Sequence, residues 1–138
     1  MTKTIIEYLD NLRTVSTHES GSILETDAPK DNHGKGERFS PTDLISVGLG
    51  SCVLTLMGIY AKRLGVDLKG MTAEVDKHMS ASPPRRICKL IVSVYIPNHI
   101  PDNDRLKIEQ AGINCPVKNS LHPDIDLVID FHWGHLAL

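Results

Sequence analysis

Aromatic residues are scarce: two Phe, three Tyr and one Trp make up 4% of 138 residues. A row of base-stacking platforms is therefore excluded, and the core is left to aliphatic packing. An excess of positive charge is also missing, because 15 Lys and Arg face 17 Asp and Glu, for a net charge of −2. Such a surface has no field to draw in a phosphate backbone, and no nucleic-acid partner is expected. Three Cys are too few, and odd in number, for a disulfide framework, and no pair has zinc-finger spacing. The first twelve residues carry Lys3, Glu7 and Asp10 and lack the apolar run of an export signal, so a reducing cytoplasm is the expected setting. Long uncharged stretches are absent save one, the eighteen residues Leu44–Ala61. Gly48, Gly50, Ser51, Thr55 and Gly58 dilute its apolarity, so it reads as a buried core helix, and no membrane association is expected.

What is present reads as a folded chain. Hydrophobic residues at 41% and charged residues at 23% suit a soluble globular protein, and 138 residues suit a single domain, 1–138, with one core. Residues 4–8, 13–18 and 22–26 have strand character and form a meander, with a turn at Glu19-Ser20-Gly21-Ser22. Residues 27–40 then read as an exposed connection. A helix start follows, with Ser40 as N-cap, Pro41 at the first helical position, Asp43 three residues after the cap and a stop at Gly65. Ile45, Leu49, Cys52, Val53, Leu56, Tyr60 and Leu64 follow helical spacing, which points Cys52 inward. Gly48, Ser51, Thr55 and Gly58 form a second line of small side chains that lets another helix, or a second subunit, approach closely. Residues 71–80 and 86–97 read as a hairpin turning at Ser82-Pro83-Pro84, followed by a helix at 102–113, a helical segment from Pro116 to about Leu121 and a strand at 125–132. This order argues for an α+β fold rather than a regular βαβ repeat.

Chemistry centres on Cys52 and Cys115, because thiolates react where thiols do not. Cys115 directly precedes Pro116, where the free N–H groups of a helix start would face its sulfur. Cys52 lies about three turns into its helix. It is either an apolar core residue or a thiolate served by an arginine from elsewhere, with Arg13 and Arg38 available. Asp43 either caps the helix or fixes such an arginine beside Cys52. Cys88 reads as a plain strand residue, and His132 and His135 as solvated or packed rather than metal ligands. Gly34 and Gly36 lack the spacing and the Lys-Ser/Thr ending of a phosphate loop.

The string Phe39-Ser40-Pro41-Thr42-Asp43-Leu44, followed by Gly50-Ser51-Cys52, and the later Asn114-Cys115-Pro116-Val117, together resemble the OsmC/Ohr family of thiol-dependent hydroperoxide reductases. The resemblance extends to Leu12-Arg13 and Thr26-Asp27-Ala28-Pro29. It implies an OsmC-like α+β fold with antiparallel sheets around a long central helix, in an intertwined homodimer with active sites at the subunit interface. It implies that Cys52 is the peroxidatic and Cys115 the resolving cysteine, with Arg13 and an acidic residue, matched here to Asp43, organising the first. Thr42 stands where the best-characterised branches carry Glu, which places the chain nearer the broad OsmC-like branch. The implied reaction is reduction of an organic hydroperoxide through a sulfenic acid and a disulfide, reset by an external dithiol such as a lipoyl protein, with no metal, haem or nucleotide. The other reading is an OsmC-like small-molecule binder or thiol redox sensor without efficient turnover.

Overall fold

Ser40 and Asp43 build a reciprocal capping box at the start of α1 (Pro41–Leu64). The Asp43 carboxylate accepts from the Ser40 N–H at 2.8 Å, and the Ser40 hydroxyl accepts from the Asp43 N–H at 3.1 Å. Gly65, at φ +72°, ends the helix: its N–H bonds the Lys62 carbonyl while the Val66 N–H reaches back to Ala61. The start and stop fall where the sequence pattern puts them. The computed structural model describes residues 1–134; His135 lies outside the described residues.

The chain divides into two compact units, Met1–Ile45 and the part from Ser46 onward. In the first, β1 (Thr4–Asp10), β2 (Arg13–His18) and β3 (Ile23–Asp27) form an antiparallel sheet in that order. All seven residues of β1 are exposed, including Ile5, Ile6, Tyr8 and Leu9. The β1–β2 turn runs through Asp10, Asn11 and Leu12, all with positive φ. For Leu12 (φ +63°), this backbone conformation is strained by about 1–3 kcal/mol.

The second unit holds β4 (Thr72–Met79), β5 (Ile87–Ile96), α2 (Asp102–Ile113), α3 (Pro116–Ser120) and β6 (Asp126–Trp133). Sheet order is β4-β5-β6, with β4 and β5 antiparallel but β5 and β6 parallel, Leu90 facing Leu127 and Val92 facing Ile129. The expectation of purely antiparallel sheets is corrected here: α2 and α3 form the long crossover that a parallel neighbour requires. One hydrophobic core lies wholly within this unit. Leu90, Val92, Val94 and Ile96 point into it from alternate positions of β5, meeting Leu49, Val53, Met57 and Ala61 of α1 and Ile108 of α2.

Two expectations for α1 change. The buried stripe steps by four through Leu49, Val53, Met57 and Ala61; Leu56, Tyr60 and Leu64 are half-buried, and Ile45 is exposed with Val47 and Ile59. The helix is therefore not buried all round, because core packing uses one face. By length and composition alone α1 would also pass for a membrane span, with mean hydropathy 1.9, although 28% of that window is buried here.

Gly112 sets how closely α2 packs on α1. A Cβ there would stand 2.8 Å from Met57 Cγ and 3.3 Å from Val53 Cγ1, both near the stem of a fully buried side chain. Gly112→Ala should therefore destabilise the protein by about 1–3 kcal/mol despite the better helix propensity of Ala. The check is a lower urea midpoint at unchanged m; a raised midpoint would contradict this packing.

Candidate active site

Cys52 occupies the middle of α1, half-buried against the core, and Cys115 is fully buried as the residue before α3. These residues are 63 positions apart in sequence, yet their thiols are close enough to influence each other's ionisation, and neither is in a disulfide. Burial pushes the Cys115 thiol above its usual range, and bonding to Cys52 pushes it the same way. The N–H groups of Lys118 and Val117, at the helix start the sequence pointed to, pull against both. Cys115 consequently keeps its proton at neutral pH.

Cys88 lies apart from this pair on β5, its S–H donating to the His78 carbonyl at 3.3 Å. His132 stacks on Tyr95 with ring centroids 4.8 Å apart. Among the described residues no group of three His, Cys, Asp or Glu is placed to hold a metal ion.

In the first unit, Arg13 is the organised cation. Its guanidinium donates from Nε to Asp27 Oδ1 at 2.7 Å and from Nη2 to Asp27 Oδ2 at 2.8 Å, and Nη2 also reaches Glu37 at 3.1 Å. Asp27 is 2% exposed and accepts a further bond from the Glu37 N–H at 3.1 Å. The fork fixes the guanidinium plane as a bidentate pair does. Asp43, expected to hold an arginine, closes the helix cap; the carboxylate that binds Arg13 is Asp27. A register counted outward from the turn at Ser20-Gly21 pairs Arg13 with Asp27, so opposite charges facing each other across β2 and β3 were the signal to follow. Arg38 pairs instead with Glu25 at 2.7 Å and is about half exposed.

α1 and α2 bound a groove of about 670 Å³ whose lining includes Asn114, the residue before Cys115. Leu56, Ile59 and Tyr60 line one wall, and Leu106 and Ala111 the other.

The fold is that of OsmC-like proteins, with two sheets and a long helix. This chain belongs to the OsmC family: the family model described as OsmC-like protein matches residues 34–130. A solved structure from Psychrobacter arcticus 273-4, described as an osmotic stress induced and detoxification response protein, is 41% identical, with a TM-score of 0.90 and 96% of each chain covered. An organic hydroperoxide resistance protein OsmC from Legionella pneumophila shares the fold at 16% identity, with a TM-score of 0.75 and 96% of each chain covered. So does an organic hydroperoxide resistance protein from Elizabethkingia anophelis, at 15% identity and a TM-score of 0.74, covering 96% of this chain and 95% of that one. No curated protein matches the sequence.

The Arg13 fork holds the Asp27 carboxyl at about 2, below its ordinary 3.8. A carboxylate lowered on folding contributes stability above its unfolded value and loses it as pH falls through the folded one. The urea midpoint should therefore fall as pH drops from 3.8 toward about 2. Asp27→Asn should lower the midpoint at neutral pH and flatten that acid limb; an unchanged limb would show that the fork adds no stability.

Proposed function

We propose that the protein reduces organic hydroperoxides with Cys52 and Cys115. The observation that carries this reading is the direct approach of the two thiols, with the buried Cys115 holding its proton beside the half-buried Cys52. OsmC family membership supports a peroxide-related redox role. The Cys52 thiolate attacks the terminal peroxide oxygen, the O–O bond breaks, and the departing alkoxide takes a proton to leave as an alcohol. Cys52 is then a sulfenic acid. Cys115 attacks its sulfur, water leaves, and a disulfide forms. A small dithiol or a lipoyl protein reduces that disulfide and is itself oxidised, which suits a reducing, cytoplasmic setting. Arg13 is the cation that favours the Cys52 thiolate, since a guanidinium stays charged and its fork is already fixed by Asp27 and Glu37.

The working form is a homodimer. A strand exposing Ile5, Ile6, Tyr8 and Leu9, and a helix exposing Ile45, Val47 and Ile59 beside the open glycines Gly48 and Gly58, leave more apolar surface than a soluble monomer tolerates. The small and polar side chains of Ser51 and Thr55 on α1 suit a protein partner better than lipid.

Cys52→Ser should abolish peroxide consumption by the reduced protein. Cys115→Ser should consume one equivalent and leave a sulfenic acid that a nucleophilic probe traps, while Cys88→Ser should behave as wild type. A requirement for Cys88 with a dispensable Cys115 would overturn the pairing. Arg13→Ala should slow oxidation by about tenfold at neutral pH, with the rate recovering in alkali as thiolate forms unaided. Sedimentation should show a dimer; a stable monomer at micromolar concentration would contradict the homodimer.

A further inference from the structure

Two neighbouring faces of α2 are held by different elements. On one, Ile108 is fully buried in the core and Gly112 lets Met57 and Val53 of α1 approach closely. On the next, Arg105 and Glu109, four residues apart, both meet Trp133 at the end of β6. The indole N–H donates to Glu109 Oε1 at 2.8 Å, and the Arg105 guanidinium carbon lies 5.5 Å from the ring centroid. Arg105 also donates from Nε to the carbonyl of the buried Ile100 at 2.7 Å, which ties the same side chain to the segment that leads into the helix. Trp133 is itself anchored: it pairs with Ile96 across β5 and β6, and the following N–H, that of Gly134, bonds the Ile96 carbonyl at 2.6 Å.

We propose that Trp133 and Glu109 are positioning residues for Cys115: they fix the rotation of α2 about its own axis, and with it the approach of that sulfur to Cys52. The assignment rests on the reading of the two cysteines as a redox pair. A cylinder seated against one surface rolls, whereas one seated against two, here about 60° apart around the helix, does not. Apolar packing is also non-directional, while the indole-to-carboxylate bond has one preferred geometry. The roll reaches Cys115 because the Asn114 N–H still bonds the Gln110 carbonyl at 3.2 Å, so the chain leaves the helix without slack. A side chain about 5–6 Å from a helix axis moves about 1 Å when the helix rolls by about 10°. Disulfide formation demands specific angles and distances, and a misplacement of about 1 Å costs such a step up to about a hundredfold.

The test is the equilibrium between dithiol and disulfide in buffers of reduced and oxidised glutathione, read by mass after acid quench. The Cys52 and Cys115 thiols give up two electrons and two protons to glutathione disulfide, whose S–S bond breaks into two thiols as the protein S–S bond forms. Glu109→Ala removes the acceptor, and Trp133→Phe keeps a ring beneath Arg105 but removes the donor. Each should lower the equilibrium constant for the protein disulfide by about tenfold, and the double variant should lose no more than the larger single one, because the two residues act through one bond. Glu109→Gln, which keeps a carbonyl oxygen for the indole N–H, should stay within about twofold of wild type. Val128→Ala, on the face of β6 turned away from the core, loses stability without touching α2 and should leave the constant unchanged. A wild-type constant in Glu109→Ala and Trp133→Phe, a loss in Glu109→Gln as large as in Glu109→Ala, or an equal loss in Val128→Ala would each overturn the assignment. Should Glu109→Ala not fold, Trp133→Phe decides. Consumption of tert-butyl hydroperoxide by wild type separates the two claims. Consumption with variants that keep the wild-type constant defeats the positioning residues alone, the predicted constants without consumption defeat the peroxidase reading alone, and no disulfide in wild type at any glutathione ratio defeats both.

Discussion

The close packing of α2 on α1 at the bare backbone of Gly112 is the constraint on which the rest of the second unit depends. With no side chain at that position, Met57 and Val53 seat against α2, and Cys115 follows only three residues later, just past the end of that helix. The meeting of Cys52 with a residue 63 positions later is thus a product of core packing rather than of any loop. Because both helices also pack on the inward side chains of β5, the pair has little freedom to separate. Close-packed interiors resist such displacement.

That placement also gives the two sulfurs different surroundings. Cys115 is enclosed, with desolvation working against its anion, whereas Cys52 keeps partial access to solvent. In the proposed reaction the nucleophile must be reachable, and a resolving thiol must wait close by until a sulfenic acid forms. The Arg13 fork adds a different kind of order: Asp27 and Glu37 hold one guanidinium flat, beside a turn that places Leu12 in a strained backbone conformation.

Much of this is legible in the sequence where the signal is local. Ser40, Asp43 and Gly65 announce the ends of α1 because capping chemistry acts within a few residues. Pro116 likewise announces a helix start whose N–H groups face Cys115. Features set by nonlocal pairing are harder to read. The alternation of β6 is the same whether it runs parallel or antiparallel to β5, so its direction depends on the α2–α3 crossover. Asp27 escapes notice as the partner of Arg13 until the register of β2 and β3 is counted, while Asp43 attracts the role through proximity to Cys52. Leu56 and Tyr60 share the apolar character of the core stripe, and only the packing of α2 shows that they line a groove instead.

The central claim is that Cys52 and Cys115 act as one redox unit. Mass analysis of the intact reduced protein after one equivalent of an organic hydroperoxide, followed by peptide mapping, tests it most directly. The account predicts loss of two hydrogens through a bond between the Cys52 and Cys115 peptides, reversed by a dithiol. An unchanged mass, or oxidation confined to Cys88, would contradict it.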